Sequence, residues 1–70
     1  MMPLALGDAG KEYGITRVSG SDEVRAPLQD MGFVPGAKVT LISASEGNVI
    51  VNVKNVRVAL STQLAQKIYI

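Results

Sequence analysis

The stretch that most constrains the fold of this chain is NVIVNVKNVRVAL, residues 48–60. Valines recur at every second position up to Val53, as on one face of an extended strand, and this alternation changes phase across Lys54–Asn55. Because Asn tolerates a positive φ, Lys54–Asn55 suits the two-residue turn of a β-hairpin. Asn52 would then face Arg57 on one side of the hairpin. The other side would carry the facing pairs Val53 with Val56, Val51 with Val58 and Val49 with Leu60.

Three further segments have the β-branched composition of short strands. They are Tyr13–Ser19, Lys38–Ser43 and Lys67–Ile70. Gly14, within the first of them, indicates a β-bulge or a close approach of backbones. The polar sequence Ser45–Asn48 supplies a turn between the second of these strands and the hairpin.

A short helix is predicted in SDEVRAPLQDM, where Ser21 can cap the first turn and two acids follow it. The apolar residues that share one helical face are Val24, Leu28 and Met31. A helix that began at Asp22 would be kinked by Pro27, whereas a start near Ala26 would place that proline in the first turn. Both starts stay open, and in either case the helix ends at Gly32.

The predicted elements are about five short strands, one short helix and a helical turn in STQLAQ, residues 61–66. With 70 residues the chain is expected to form a single domain, residues 1–70. Its core must be aliphatic, since Tyr and Phe together number three and Trp is absent. This pattern predicts a mainly β fold, a small SH3-like barrel, with an OB-fold as the alternative.

The chain contains neither Cys nor His, which removes disulfides, the usual zinc ligands, the thiol nucleophile and the imidazole base. Gly7–Lys11 lacks the spacing of a phosphate-binding loop and is expected to be a turn before the first strand. Asp22, Glu23 and Asp30 lack a spacing that suits a hard cation, and the first two fit the start of a helix. The sequence therefore predicts no catalytic residue, no metal site and no cofactor, hence a protein that is not an enzyme.

Seven basic and six acidic residues give a net charge of +1, and the basic residues are dispersed along the chain. Nucleic-acid-binding domains concentrate positive charge and interleave aromatic residues, so no nucleic-acid partner is expected. No apolar run reaches the roughly 18 residues of a membrane span, and the first residues do not resemble a secretory signal. A cytoplasmic location without membrane insertion is the expectation.

The segment DMGFVPGAKVT joins the predicted helix to a strand. We predict that Gly32 ends the helix and that Pro35 and Gly36 form a type II turn, in which Gly36 has a positive φ. Four large apolar side chains at this corner exceed what so small a core holds comfortably: Leu28, Met31, Phe33 and Val34. They are candidates for contact with a partner protein, and the alternative is that they cover one open end of the barrel. A weak homo-oligomer through the same surface is a further alternative.

Met31-Gly32-Phe33-Val34-Pro35-Gly36, placed after a short helix, resembles the corner motif of the FeoA family, small SH3-like proteins of bacterial ferrous-iron uptake. The start, Leu6-Gly7-Asp8-Ala9-Gly10, is similar to the leading Leu and Gly that precede the first strand in that family. The end is similar as well, with Val58-Ala59-Leu60 followed by Ala65, Ile68 and Ile70. The resemblance covers essentially the whole chain, and the Gly-x-x-Pro-Gly corner is its most specific part.

This resemblance implies a cytoplasmic accessory protein whose partner is the cytosolic region of FeoB, a membrane iron transporter with a G-protein domain. Such a protein would bind or regulate the transporter rather than carry iron. One alternative is a free-standing equivalent of the SH3-like C-terminal domain of iron-dependent repressors. A generic SH3-type peptide binder is a second, although the chain has few aromatic residues to line a groove. An OB-like binder of RNA or single strands is a third.

Overall fold

The computed structural model describes all 70 residues. A single turn of 3₁₀-helix, Leu4–Leu6, precedes the strands and helices. The strands are β1 (Glu12–Gly14), β2 (Arg17–Val18), β3 (Lys38–Ser45), β4 (Asn48–Val53), β5 (Val56–Ser61) and β6 (Ile68–Tyr69), and the helices are α1 (Asp22–Asp30) and α2 (Thr62–Ala65). The mainly β architecture predicted from the sequence is confirmed.

The strands form a small antiparallel barrel from two sheets, one with the order β1-β3-β4-β5 and one that pairs β2 with β6. The predicted strand Tyr13–Ser19 is divided between them, because the chain crosses from one sheet to the other at Ile15. Ile15 is buried, and its backbone bonds to the corner that precedes β3. Its carbonyl accepts from Gly36 N–H at 2.8 Å, and its N–H donates to the Ala37 carbonyl at 2.9 Å.

Gly14 lies next to this crossing, but it does not play the predicted role. A Cβ built on Gly14 would meet no atom within 4 Å, so no backbone approaches it closely. The prediction of a bulge or close approach at Gly14 is therefore wrong. The register shift of the larger sheet lies in β3 instead, between Leu41 and Ser43.

The β4–β5 hairpin has the predicted register, with Val53 facing Val56, Val51 facing Val58, Val49 facing Leu60 and Asn52 facing Arg57. Lys54 and Asn55 have φ values of 52° and 63°, the two positive values that a type I′ turn requires. The two strands differ in burial. Val53 on β4 is 1% exposed, whereas its partner Val56 on β5, the edge strand of the sheet, is 58% exposed.

Helix α1 begins at Asp22, the first of the two starts that the sequence left open. Pro27 therefore lies inside the helix and leaves the carbonyl of Glu23 without its helical N–H donor. Both residues are exposed, so water can satisfy that carbonyl and the free-energy penalty is reduced. The Ser21 carbonyl accepts from the N–H groups of Val24 (3.0 Å) and Arg25 (2.9 Å), which anchors the first turn.

The core contains thirteen buried hydrophobic residues, of which Phe33 is the only aromatic one. The remaining core is aliphatic, as predicted. The two ends of the chain close the barrel beside this core. Met2 N–H donates to the Ile70 carbonyl at 3.0 Å, Ile70 N–H donates to the Met2 carbonyl at 2.8 Å, and Pro3 pairs with Tyr69. Leu4 follows directly and is fully buried.

Candidate interaction surfaces

The corner after α1 is built on a Schellman motif, the hydrogen-bond pattern that closes many helix C-termini. Gly32 N–H donates to the Gln29 carbonyl and Phe33 N–H donates to the Leu28 carbonyl, both at 3.0 Å. Gly32 has a φ of +104°, a conformation that residues with a Cβ rarely adopt. The prediction that Gly32 ends the helix is confirmed.

The same motif decides where the four apolar candidates lie. Leu28 is 1% exposed and Phe33 is fully buried, so both belong to the core. Two residues that were candidates for partner contact therefore offer no accessible side-chain surface. The reason is the fixed spacing of the Schellman motif, which brings the residue after Gly32 back over the last turn of the helix.

Met31 and Val34 remain accessible at this corner. Met31 is 40% exposed, and Val34 is half-buried. The aliphatic stem of Lys54 lies against the same corner, since a Cβ built on Gly32 would be only 3.1 Å from Lys54 Cδ. We name Met31, Val34 and the Lys54 stem the corner patch. Sequence reasoning missed Lys54, because nothing in the order of residues indicates that the hairpin turn packs on the helix end.

The Pro35–Gly36 turn has the predicted form. Ala37 N–H donates to the Val34 carbonyl at 3.0 Å, and Gly36 has a φ of +90°, as the third residue of a type II turn requires. The two hydrogen bonds to Ile15 then fix this turn to the crossing between the sheets. The corner is thus rigidly connected to the barrel, and it presents Met31 and Val34 at a defined position.

A second surface is a groove of about 390 Å³ beside the paired ends of the chain. We name it the terminal groove, and among the residues that line it are Pro3, Leu6, Ser19, Gln66, Lys67 and Tyr69. Leu6 is 69% exposed, an unusual position for a large aliphatic residue. Sequence reasoning missed this groove, because its walls come from the two ends of the chain and from Ser19, the residue after β2, which meet only in the folded barrel.

Several of the hydroxyl groups and carboxylates that could suggest catalysis have structural partners. Ser61 Oγ accepts from the Leu64 N–H at 3.1 Å and caps α2, and Ser19 Oγ donates to the Lys67 carbonyl at 3.3 Å. Asp22 pairs with Arg25 within α1. Gly7–Lys11 forms a turn before β1, in which Asp8 pairs with Lys11 at 3.5 Å. No group of three Asp or Glu side chains is placed so that it could hold a metal ion.

Two ion pairs use Lys11 and Arg25, and the other five basic side chains contact no carboxylate: Arg17, Lys38, Lys54, Arg57 and Lys67. Arg17 instead lies over the ring of Tyr69, with 5.2 Å from its guanidinium carbon to the ring centroid.

The longest helix, α1, has nine residues, and none of the helices has the length and apolar composition of a membrane span.

The chain thus forms a small SH3-like barrel that is closed by the pairing of its two ends. The FeoA domain profile matches residues 2–70. The chain belongs to the FeoA family, which comprises small SH3-like accessory domains. This confirms the family resemblance inferred from the corner motif.

Solved structures agree with this assignment. A crystal structure of an iron uptake regulatory protein, FeoA, is similar with 28% identity and a TM-score of 0.89, over 96% of this chain and 91% of that one. FeoA from Stenotrophomonas maltophilia, described as a procaryotic SH3 domain protein, has 24% identity and a TM-score of 0.84, over 99% and 88% of the two chains. The latter likeness concerns the fold alone.

A manganese-dependent transcriptional repressor shares the fold with a TM-score of 0.86 and 19% identity. The match covers 94% of this chain but 38% of the repressor, so the likeness concerns one part of that protein. A comparison with curated proteins finds no match.

Proposed function

We propose that this chain is a non-enzymatic accessory protein of ferrous iron uptake, located in the cytoplasm, and that it acts by contact with the cytosolic region of the GTPase-linked transporter FeoB. The observation that carries the proposal is the FeoA domain match over residues 2–70. The inventory of side chains supports it. The chain has neither His nor Cys. Ser19 is used in a hydrogen bond to the backbone, Ser61 in a helix cap and Asp22 in an ion pair, so the barrel offers surfaces rather than a set of reactive groups.

The corner patch is the surface we assign to this contact. The backbone under its apolar side chains is fixed by the hydrogen bonds of the turn, so little backbone entropy is lost when a partner covers them. Met31 is unbranched and polarizable, which lets it adapt to an apolar pocket. Leu28 and Phe33 contribute indirectly, because they hold the backbone that presents Met31 and Val34.

The test is a calorimetric titration of the chain against the cytosolic region of the FeoB encoded in the same genome, in the nucleotide-free, GDP and GTP-analogue states. We expect Met31→Glu to weaken binding at least tenfold, as loss of an apolar contact of about 1.4 kcal/mol implies. Gln63→Glu is the matched control, since it makes the same charge change at an exposed position of α2 outside the corner patch. This control should bind like the unaltered chain.

Two outcomes would contradict the proposal at different levels. Absence of binding at high micromolar concentration in every nucleotide state, with membranes included, would oppose FeoB as the partner. Equal weakening by Met31→Glu and Gln63→Glu would leave the partner in place but reject the corner patch as the contact surface.

A further inference from the structure

We propose that the terminal groove is a second binding surface, independent of the corner patch, and that it takes an extended acidic segment of a protein. That segment would carry two carboxylates at alternate positions next to an aliphatic side chain. The inference depends on the geometry of the β2–β6 pair, on its two cations without carboxylate partners, and on Leu6.

The pairing of β2 with β6 places a defined set of side chains on the outside of the barrel. Arg17 faces Tyr69, and Val18 faces Ile68. Val18 and Ile68 are buried in the core, so the alternation of a strand turns their neighbours outward. The outward set is Arg17, Ser19, Lys67 and Tyr69. Pro3 continues this face on the far side of Tyr69, with which it pairs.

Arg17 and Lys67 are the two cations of this face, and neither contacts a carboxylate of the chain. The Arg17 guanidinium lies over the Tyr69 ring, and this contact with the ring face leaves its N–H groups free to donate. The stem of Lys67 packs near Gly20, with Cδ 3.9 Å from the position of a Cβ there. Lys67 lines the groove, whereas Arg17 lies next to it, over the ring of the lining residue Tyr69. No Asp or Glu side chain lines the groove. The face is therefore a positively charged site whose complement is anionic.

The spacing of these cations fits an extended peptide. Arg17 on β2 faces Tyr69, and Lys67 directly precedes β6 and accepts a hydrogen bond from the Ser19 N–H at 2.8 Å, which places it diagonally to Arg17. Diagonal neighbours of this kind lie roughly 7–8 Å apart. In an extended strand, side chains on the same face recur about every 6.8 Å, which is two residues along the chain. Carboxylates at alternate positions of one strand can thus reach both cations at once.

Leu6 and Pro3 define the remaining part of the ligand. Leu6 is 69% exposed at the wall of the groove, and Pro3 adds a rigid apolar surface. An aliphatic side chain beside the carboxylates would cover both and remove them from water. A groove of about 390 Å³ falls in the lower part of the range for ligand pockets and holds a few side chains.

A single nucleic-acid strand is the competing ligand, since cations and an aromatic ring also bind RNA. Strand-binding surfaces use several aromatic platforms along a continuous basic track. The terminal groove has one aromatic ring, which Arg17 already covers on one face, and its other walls include the aliphatic residues Leu6 and Pro3. The chemistry favours a peptide.

The experiment is a titration of ¹⁵N-labelled chain, followed by NMR, with the peptide acetyl-Leu-Glu-Thr-Glu-Leu-amide at low salt. The matched peptide replaces both Glu by Gln. We expect changes in chemical shift centred on Leu6, Ser19, Lys67 and Tyr69. The Gln peptide should bind at least roughly fivefold more weakly than the Glu peptide, as the loss of two exposed ion pairs implies. Lys67→Glu should weaken binding of the Glu peptide by a similar factor. Lys38→Glu, the same charge change at an exposed residue of β3, should leave it unchanged.

Four results would overturn the proposal. They are equal affinity for the two peptides, equal weakening by Lys67→Glu and Lys38→Glu, no shift of groove residues up to about 10 mM peptide, and tighter binding of oligo-dT than of the Glu peptide at the same residues. The dispersion of each variant's own spectrum reports whether it is folded, and Lys67→Gln replaces Lys67→Glu if the latter is not. Because the peptide contains no transporter sequence, the result does not depend on the proposed FeoB contact.

Discussion

Leu28 and Phe33 are joined across Gly32 by a 3.0 Å hydrogen bond from the Phe33 N–H to the Leu28 carbonyl. This bond closes the helix and directs the Phe33 side chain into the core, and in doing so it leaves Met31 on the outside. One backbone motif therefore separates the residues that stabilise the barrel from those that are free to meet a partner. The stability of the corner and its accessibility can be tested separately.

Gly32→Ala should destabilise the fold by about 1–2 kcal/mol, the free-energy penalty of a residue with a Cβ in a left-handed conformation. The new Cβ would also press on the Lys54 stem at 3.1 Å. Urea unfolding followed by circular dichroism measures the change. Gly14→Ala is the control, because Gly14 has open space around it and alanine is preferred to glycine in a strand, so that this variant should gain about 0.5–1 kcal/mol. A Gly32→Ala variant as stable as Gly14→Ala would contradict the role of the positive φ.

Phe33→Ala should reduce the free energy of unfolding by about 3–5 kcal/mol, because it removes a fully buried aromatic side chain. For a domain of this size that loss is close to the whole free energy of unfolding. The variant should therefore be largely unfolded at room temperature, or show only a broad thermal transition. Met31→Ala should change stability by less than about 1 kcal/mol, since Met31 is 40% exposed. A cooperatively folded Phe33→Ala with unchanged melting temperature would place Phe33 outside the core.

Asn55→Val should destabilise the β4–β5 hairpin, because a β-branched residue is strained at the positive φ of 63° that Asn55 adopts. We expect a loss of about 1–2 kcal/mol in thermal or urea unfolding. Asn55→Gly is the informative comparison. Glycine is favoured at this position of a type I′ turn, so this variant should be as stable as the unaltered chain or more stable. Equal destabilisation by Val and Gly would show that the Asn55 side chain matters rather than its backbone conformation.

Ser61→Ala should destabilise the fold by about 1 kcal/mol, because Ser61 Oγ accepts from the Leu64 N–H and caps α2. Ser21→Ala is the matched control at the start of α1, where the serine side chain makes no capping hydrogen bond. The difference between the two variants in urea unfolding isolates the contribution of the capping bond. If both substitutions had the same effect, the side-chain bond at Ser61 would contribute nothing measurable.

Elements with a local signature were predictable from the sequence. The register of the hairpin follows from the alternation of valines around Lys54–Asn55, and Gly32 and Gly36 supply the positive φ that their turns need. The division of Tyr13–Ser19 into two strands was not predictable, because it depends on hydrogen bonds between Ile15 and residues 36 and 37. The start of α1 was not predictable either. A proline inside the helix is tolerable there because Pro27 and Glu23 are exposed to solvent.

The two candidate surfaces also differ in how far the sequence predicts them. Sequence composition identified an apolar corner, but the distinction between Phe33 in the core and Met31 outside it depends on the direction of the chain after Gly32. The terminal groove has no local signature at all. Leu6 and Tyr69 are near opposite ends of the sequence, and only the closed barrel brings them to one surface.

The hydrogen bonds between Met2 and Ile70 have a consequence for the order of folding. They join residues separated by almost the whole chain, as does the Pro3–Tyr69 pair, so their formation requires closure of the longest loop that the molecule contains. The β3–β4–β5 meander closes only short loops and can form first. This pairing of the two chain ends, the seam of the barrel, should therefore also be the first part to open. The amide hydrogens of Met2 and Ile70 should exchange with solvent before those of Val51 and Val53. Leu6 and Tyr69 flank that seam, so occupancy of the terminal groove would slow its opening.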